Sequence, residues 1–246
     1  MLVGPTAVGK TSLAIHLAKN FHTEIISADS RQIFRELEIG TAKPSSEDLA
    51  AIKHHFINSH SITEDYDAGQ YGRDALALIY KIFDDYDHLI LCGGSGLYIK
   101  GVLEGFDEMP EVQEGIREKI NAEYKEKGLA WLQEQVEKAD PDFFSMVDQK
   151  NPHRLIRALE LNYSTGDVIS ALKKQEKRIL PFDVIKIGLE LDREELYQRI
   201  DQRMDSMIEA GLFEEAEKMY PLRNHHALQT VGYQEIFGFM EGLYDK

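Results

Sequence analysis

The stretch Gly4-Pro5-Thr6-Ala7-Val8-Gly9-Lys10-Thr11 fits the spacing G-x-x-x-x-G-K-[ST] of a phosphate-binding loop. Glycines let successive backbone N–H groups curl around an anion, and a helix starting near Lys10 adds the positive end of its dipole. The Lys10 ammonium reaches terminal phosphates, and the Thr11 hydroxyl is placed to ligate Mg²⁺. Context agrees: apolar Leu2-Val3 precedes the loop, and Ser12 to Lys19 after it is a good helix former. A di- or triphosphate ligand is expected.

Working outward, strand and helix patterns alternate. Glu24–Ala28 reads as a strand, 71–83 as a helix, His88–Cys92 as a strand and 96–103 as a helix. That order predicts an α/β fold, a parallel sheet flanked by helices. From about Pro110 to Asp148 the character changes, with charged amphipathic helices expected over Glu111–Lys127 and Leu129–Lys138. Val184–Leu189 reads as a returning strand and Glu194–Ala210 as a long helix ending at Gly211. The expected division is a core over 1–107, a helical insertion over 108–150 and a return to the core over 151–246.

The 246 residues, 43% hydrophobic and 29% charged, are ordinary for a globular enzyme. A single cysteine, Cys92, excludes an internal disulfide framework and a multi-cysteine zinc site. No apolar run long enough to cross a membrane and no signal-peptide pattern is present, so a cytoplasmic protein with no membrane association is expected, and a monomer, because no heptad seam or long apolar edge is apparent. A net charge of −15 opposes sequence-independent nucleic-acid binding. The charge is uneven, however. Between 150 and 186, Lys150, Arg154, Arg157, Lys173, Lys174, Lys177, Arg178 and Lys186 face only Glu160, Asp167, Glu176 and Asp183. Such a cluster is either a nucleic-acid footprint or a solvated helix face.

In an open parallel sheet, ligands bind beyond the carboxyl ends of the strands. The loop, Asp29-Ser30-Arg31-Gln32 and Gly93-Gly94-Ser95-Gly96 should therefore open onto one crevice. Asp29 there can hold metal, hold a hydroxyl or act as a general base, or else it caps a helix. The strand at 88–92 runs into glycines with no Walker-B aspartate, which weakens a motor or switch ATPase reading. The glycines point to close approach of a ligand, and the Ser95 hydroxyl and loop amides are candidates to receive an oxyanion. Cys92 reads as core. On helix 194–210 the apolar stripe is Leu196, Ile200, Met204 and Met207. Arg199 has Glu195 four residues before it, whereas Arg203 has no acid within helical reach and suits an anion clamp. The pairs His54-His55 and His225-His226 suit capping or packing better than chelation.

Taken together, these segments resemble the tRNA dimethylallyltransferase family, over nearly the whole chain. The shared stretches are Gly4–Thr11, Ser27-Ala-Asp-Ser-Arg-Gln32, Ile39-Gly-Thr-Ala-Lys-Pro44, Gly93-Gly-Ser-Gly-Leu-Tyr98, Asn151-Pro-His-Arg-Leu-Ile-Arg-Ala-Leu-Glu160 and Gln229-Thr-Val-Gly-Tyr-Gln234. The resemblance implies a P-loop NTPase-like fold and transfer of a dimethylallyl group from dimethylallyl diphosphate to N6 of the adenosine 3′ of the anticodon. By the same resemblance Asp29 is the general base, with Ser95 and Arg203 beside the diphosphate. Thr6, Ala7, Val8, Gly9, Lys10 and Thr11 hold the diphosphate, with Mg²⁺ at Thr11. The anticodon stem-loop is then met by Asp29, Ser30, Arg31, Gln32, His153, Arg154, Arg157, Gln229, Gly232 and Tyr233. Arg117 aligns more loosely with an RNA contact. The target base has to be flipped out to reach Asp29, and the helical insertion is expected to grip the stem-loop.

The chain departs from the family pattern in four places. Ser95 stands where the family usually carries Thr, and Val8 where Ser is commoner. The first strand has only two residues after Met1, and Lys246 ends the chain where family members usually continue through a basic helical segment. A C-terminally shortened member is therefore expected, with tRNA binding weakened more than diphosphate binding. Three other readings stay open. A P-loop small-molecule kinase would turn over ATP, an adenylate isopentenyltransferase would use a free nucleotide, and a non-catalytic module would bind nucleotide without turnover.

Overall fold

A computed structural model describes residues 1–107, 109–172 and 178–243. The chain divides into two compact units, Met1–Gly105 with Arg178–Lys246, and Phe106–Lys177.

The first unit carries a five-stranded sheet of β1 (Leu2–Val3), β2 (Ile25–Ser27), β3 (His54–His55), β4 (Ile90–Cys92) and β5 (Ile187–Gly188), in the order β3-β2-β4-β1-β5. Every pairing is parallel. Parallel strands need helical crossovers. These are α1 (Lys10–Phe21), α2 (Ser46–Ala51), α3 (Ala68–Ile82) and α4 (Gly96–Leu103). The P-loop-type α/β architecture is thus the observed one. Tyr71, Ala75, Leu76, Ile79 and Ile82 form the buried stripe of α3, and the Asp67 carboxylate accepts from Gln70 N at 2.7 Å to start that helix. Tyr71 is fully buried, stacks on Tyr98 at 4.1 Å and donates to Ser27 O at 2.8 Å, tying α3 to the end of β2.

The strand read over Val184–Leu189 contracts to Ile187–Gly188, on the sheet edge and exposed. His54 and His55 lie on β3 rather than in a metal site. His54 Nδ1 lies 2.8 Å from Ile52 O, and His55 Nε2 meets Glu24 Oε2 at 2.6 Å. Among the described residues no group of His, Cys, Asp and Glu is arranged to hold a metal.

The second unit is helical. A helix over Ile116–Ala139 (α5) is broken at Gly128, whose φ of 78° and ψ of −176° suit only glycine. The break reproduces the two expected helices, although the first begins five residues later than Glu111, after Gly115 at φ 83°. Next come α6 (Pro141–Met146), α7 (Pro152–Thr165) and α8 (Ile169–Leu172). Leu132 and Val136 of α5 share one core with Leu155 and Leu159 of α7, and all four are fully buried. At about 1.5–3 kcal/mol for each large apolar side chain buried, that core binds α7 to α5. The unit therefore reaches Lys177, and the boundary expected at 150 falls short because α7 belongs with the insertion rather than with the sheet.

The chain returns to the first unit through α9 (Arg193–Glu209), α10 (Leu212–Met219) and α11 (Tyr233–Met240), with 3₁₀ turns at Tyr220–Leu222 and His226–Leu228. Leu196, Ile200, Met204 and Met207 do share one face of α9, but none is fully buried.

Candidate active site

The loop after β1 is shaped by its backbone. Gly4 has φ 150°, and a Cβ there would meet Leu189 O at 2.6 Å. Ala7, at φ 60°, and Gly9, at φ 98°, turn the chain back to the start of α1. A non-glycine residue held in the left-handed region stores backbone strain, a frequent feature of ligand clamps. Lys10 Nζ donates to Gly4 O at 2.9 Å and Pro5 O at 2.6 Å, which lays the ammonium across the loop.

A cavity of ≈ 210 Å³ opens on this loop, lined by Thr6, Ala7, Gly9, Lys10, Thr11, Ser27, Asp29, Gln32, Ala42, Cys92, Gly93 and Arg203. The ends of β1, β2 and β4 meet here as the switch-point rule requires, and α9 contributes Arg203 from far along the chain. Of the six residues expected to hold the diphosphate, Thr6 to Thr11, Val8 alone is absent from the lining, and its side chain is buried.

Asp29 Oδ1 accepts from Arg31 N at 2.9 Å and Gln32 N at 3.3 Å. The carboxylate thus closes a turn, not a helix, and its second oxygen carries no hydrogen bond from a described residue. The guanidinium of Arg203 has no ion pair or hydrogen bond among the described residues. Arg199, by contrast, pairs with Glu195 at 2.7 Å as the spacing implied. Burial lowers the pKa of Arg203, and the Asp29 carboxylate opposes that shift. Burial also lowers Lys10, with Cys92 and Asp29 pulling it back up and Arg203 adding to the fall. Two half-buried cations and one carboxylate therefore share one small space, a field made for a multiply charged anion.

Some expected members are placed differently. The Ser95 hydroxyl accepts from Ser30 N at 2.8 Å and donates to Ser30 Oγ at 3.1 Å, and Ser95 is not in the cavity lining. It joins the turn after β2 to the start of α4. The amides of Gly93 and Ser95 are also engaged, with Leu2 O and Ala28 O. Gly93 lines the cavity, and a Cβ there would collide with the Ala28 backbone. Cys92 lines the cavity, and burial pushes its thiol up to about 11, so it is a neutral wall rather than a nucleophile. The sequence reading missed Ser27 and Ala42 as lining residues. Ala42 lay inside the quoted Ile39–Pro44 stretch, which had been given no role.

The residues expected at RNA divide into two groups. Gln32 donates to Thr41 O and Ala42 O at 3.3 and 3.1 Å, and accepts from Ser27 Oγ at 3.2 Å, so its amide is spent on the cavity wall. Gln229 donates to Arg223 O and accepts from Gln234 Nε2, both at 2.7 Å. Gly232, at φ 93°, begins α11, and its N–H bonds Glu235 at 2.6 Å. Tyr233 is fully buried and donates to Glu215, which corrects its expected role from RNA contact to anchor. Arg31 stays half-buried with Nη2 on Gln229 O at 3.4 Å.

In the second unit His153, Arg154 and Arg157 are exposed on the first turns of α7, opposite buried Leu155, Ile156 and Leu159. Cations there oppose the helix dipole, which leaves them suited to an external anion. Arg157 also bonds Glu160 at 3.3 Å. Arg117 bonds the same Glu160 through Nε and Nη2, and Glu160 is only 1% exposed. Arg117 is therefore first a partner for a buried carboxylate. Arg117→Ala is expected to lower stability by about 1–3 kcal/mol, moderated by Arg157, and thermal denaturation checks it.

Of the basic segment, Lys173, Lys174 and Lys177 lie outside the described residues, as does Glu176. Arg178 donates to Gly101 O and Val102 O, both at 3.0 Å, which caps the end of α4 and gives it a structural part.

Comparison with known proteins points to one family. The family model described as IPP transferase matches residues 32–246. A tRNA dimethylallyltransferase from Cytophaga hutchinsonii is 48% identical over 246 residues, which are 100% of this chain and 81% of that protein. One from Christiangramia forsetii is 47% identical over 244 residues, 99% of this chain and 81% of the relative. Among solved structures, a full-length tRNA isopentenylpyrophosphate transferase from Bacillus halodurans superposes with a TM-score of 0.67 at 34% identity, covering 99% of this chain and 77% of that one. A eukaryotic dimethylallyltransferase, described as acting on tRNA, superposes at 0.74 with 25% identity, covering 98% of this chain and 62% of that one.

Proposed function

The chain belongs to the IPP transferase family, and from that membership we propose how its own residues carry the reaction. It transfers a dimethylallyl group to tRNA, as its relatives' names describe, and its donor is dimethylallyl diphosphate. The acceptor is N6 of the adenosine 3′ of the anticodon. N6 attacks C1 of the diphosphate ester, the C1–N6 bond forms, and the C1–O bond breaks with its electron pair leaving on diphosphate. The N6 proton passes to the Asp29 carboxylate.

One observation carries the assignment: Lys10, Arg203 and Asp29 line the same ≈ 210 Å³ cavity. Charge builds up on the departing diphosphate in the transition state. Cations and loop amides fixed in advance stabilise that charge without reorganising. A base lining the same space completes the requirement. Magnesium fits this donor set. Thr11 lines the cavity, its hydroxyl carries no hydrogen bond among the described residues, and Mg²⁺ is commonly held by one or two protein oxygens plus substrate phosphates. When bound at Thr11, Mg²⁺ would neutralise part of the diphosphate charge.

Ser30 and Arg31 in the first unit, and His153, Arg154 and Arg157 in the second, are the groups we assign to RNA. Single-stranded loops offer splayed bases that side chains read readily. The reaction is set in the cytoplasm, where tRNA is handled. No described helix is long and apolar enough to cross a membrane.

The deciding experiment incubates the protein with labelled dimethylallyl diphosphate, Mg²⁺ and either an unmodified anticodon stem-loop RNA or AMP. Label is expected in the RNA and not in AMP. Label in AMP alone would move the protein to nucleotide prenylation, and ATP turnover with a small acceptor would move it to a kinase.

A further inference from the structure

The lining of the cavity includes Ala42, a non-glycine residue held at φ 47°. Such a conformation persists only where its surroundings impose it. Two sets of hydrogen bonds do so. On one side the Gln32 amide donates to Thr41 O and Ala42 O, while Gln32 N donates to Asp29 Oδ1. On the other side Glu215 of α10 accepts from three successive backbone amides of the same loop. Glu38 N and Ile39 N reach Oε2 at 3.0 and 2.9 Å, and Gly40 N reaches Oε1 at 3.0 Å. The Tyr233 hydroxyl also donates to Oε1. Its ring lies where a side chain at Gly40 would be, within 2.6 Å of a Cβ placed there.

We infer that Glu215 is a positioning residue for prenyl transfer, gripping the loop 38–42 so that Ala42 and, through Gln32, Asp29 are held in register with the phosphate loop. The inference rests on the functional reading above. Glu215 does not line that cavity and acts through four donors. A carboxylate receiving four N–H or O–H groups is saturated, so the loop it holds has no alternative partner of equal quality. Its isostere glutamine is not equivalent, because a carboxamide offers one oxygen and turns an NH₂ donor toward N–H groups that are themselves donors.

The test compares wild type, Glu215→Gln, Tyr233→Phe and the double variant by label transfer at a temperature where circular dichroism shows each to be folded. Glu215→Gln is expected to lower kcat/KM for dimethylallyl diphosphate by about tenfold or more, with KM for the stem-loop RNA within about twofold of wild type. Tyr233→Phe keeps all three loop amides on the carboxylate and is expected to cost less than about threefold. The double variant is expected to be no worse than Glu215→Gln alone, because both act through one carboxylate.

A folded Glu215→Gln with both kinetic constants at wild-type values overturns the inference and leaves Glu215 a purely stabilising group. If Glu215→Gln does not fold, Gly40→Ala decides, since its Cβ presses the loop off the Tyr233 ring with the carboxylate intact. A tenfold loss there supports positioning, and wild-type kinetics overturn it. A wild-type chain that transfers no label is a separate result. It removes the functional reading itself, and this inference with it.

Discussion

Asp29→Ala is expected to slow transfer to RNA by about 10²–10⁴-fold, the range a positioned general base contributes, while binding of dimethylallyl diphosphate stays within a few-fold. Asp29 lines the cavity, and as the proposed base it would meet the acceptor nitrogen rather than the diphosphate. Losing its negative charge relieves Lys10 and Arg203 of a counter-ion, so any change in diphosphate affinity should be toward tighter binding. Asp29 Oδ1 also closes the turn by accepting from Arg31 N and Gln32 N. Asp29→Asn separates the two roles, since the carboxamide oxygen can keep the turn but cannot take the proton. Both variants should be slow in single-turnover transfer, with Asp29→Asn the better folded. A native rate for Asp29→Asn would place the base elsewhere.

Lys10→Ala carries the second large effect, on binding as well as rate. Its ammonium lies across the phosphate loop on Gly4 O and Pro5 O, beside Thr11 and within the same cavity as Arg203. Removing one preorganised charge from a developing oxyanion costs on the order of 10²–10³-fold in rate. Here diphosphate binding should fall as well, because the substrate already carries that charge. The measurement is kcat/KM for dimethylallyl diphosphate together with direct binding of inorganic diphosphate.

The pH dependence has a definite sign. Burial lowers the pKa of Lys10 from the usual lysine value, so its charge is lost at a lower pH than in a free lysine. Only the protonated form attracts the anion. Diphosphate affinity should therefore decline as pH rises through that lowered pKa, and the alkaline decline should be missing in Lys10→Ala.

Much of the catalytic end was legible because local chemistry specifies it. The spacing of Gly4 to Thr11 specifies a loop of the phosphate-binding type by itself, and the absence of an acid near Arg203 on α9 was readable from helical spacing alone. Arg203 indeed makes no ion pair or hydrogen bond among the described residues, whereas Arg199 pairs with Glu195. The parallel order followed from alternating strand and helix patterns. The second unit was harder. Its boundary depends on α7 sharing a core with α5, a long-range packing choice that a local periodicity does not announce.

Side-chain roles divided on the same principle. A hydroxyl, amide or phenol can serve a ligand or a neighbour, and only the fold says which is nearer. Ser95 bonds Ser30, Gln32 bonds the carbonyls of Thr41 and Ala42, and Tyr233 is buried on Glu215, so three polar residues expected at ligands each hold a partner within the protein. Glu215 itself looked like one acid among many on a chain of net charge −15. The sequence by itself determined the phosphate loop, the carboxylate and cation available to it, and the parallel sheet that gathers them. The tertiary structure alone decided which polar groups remain for chemistry, because hydrogen bonds are spent on partners brought near from distant parts of the chain.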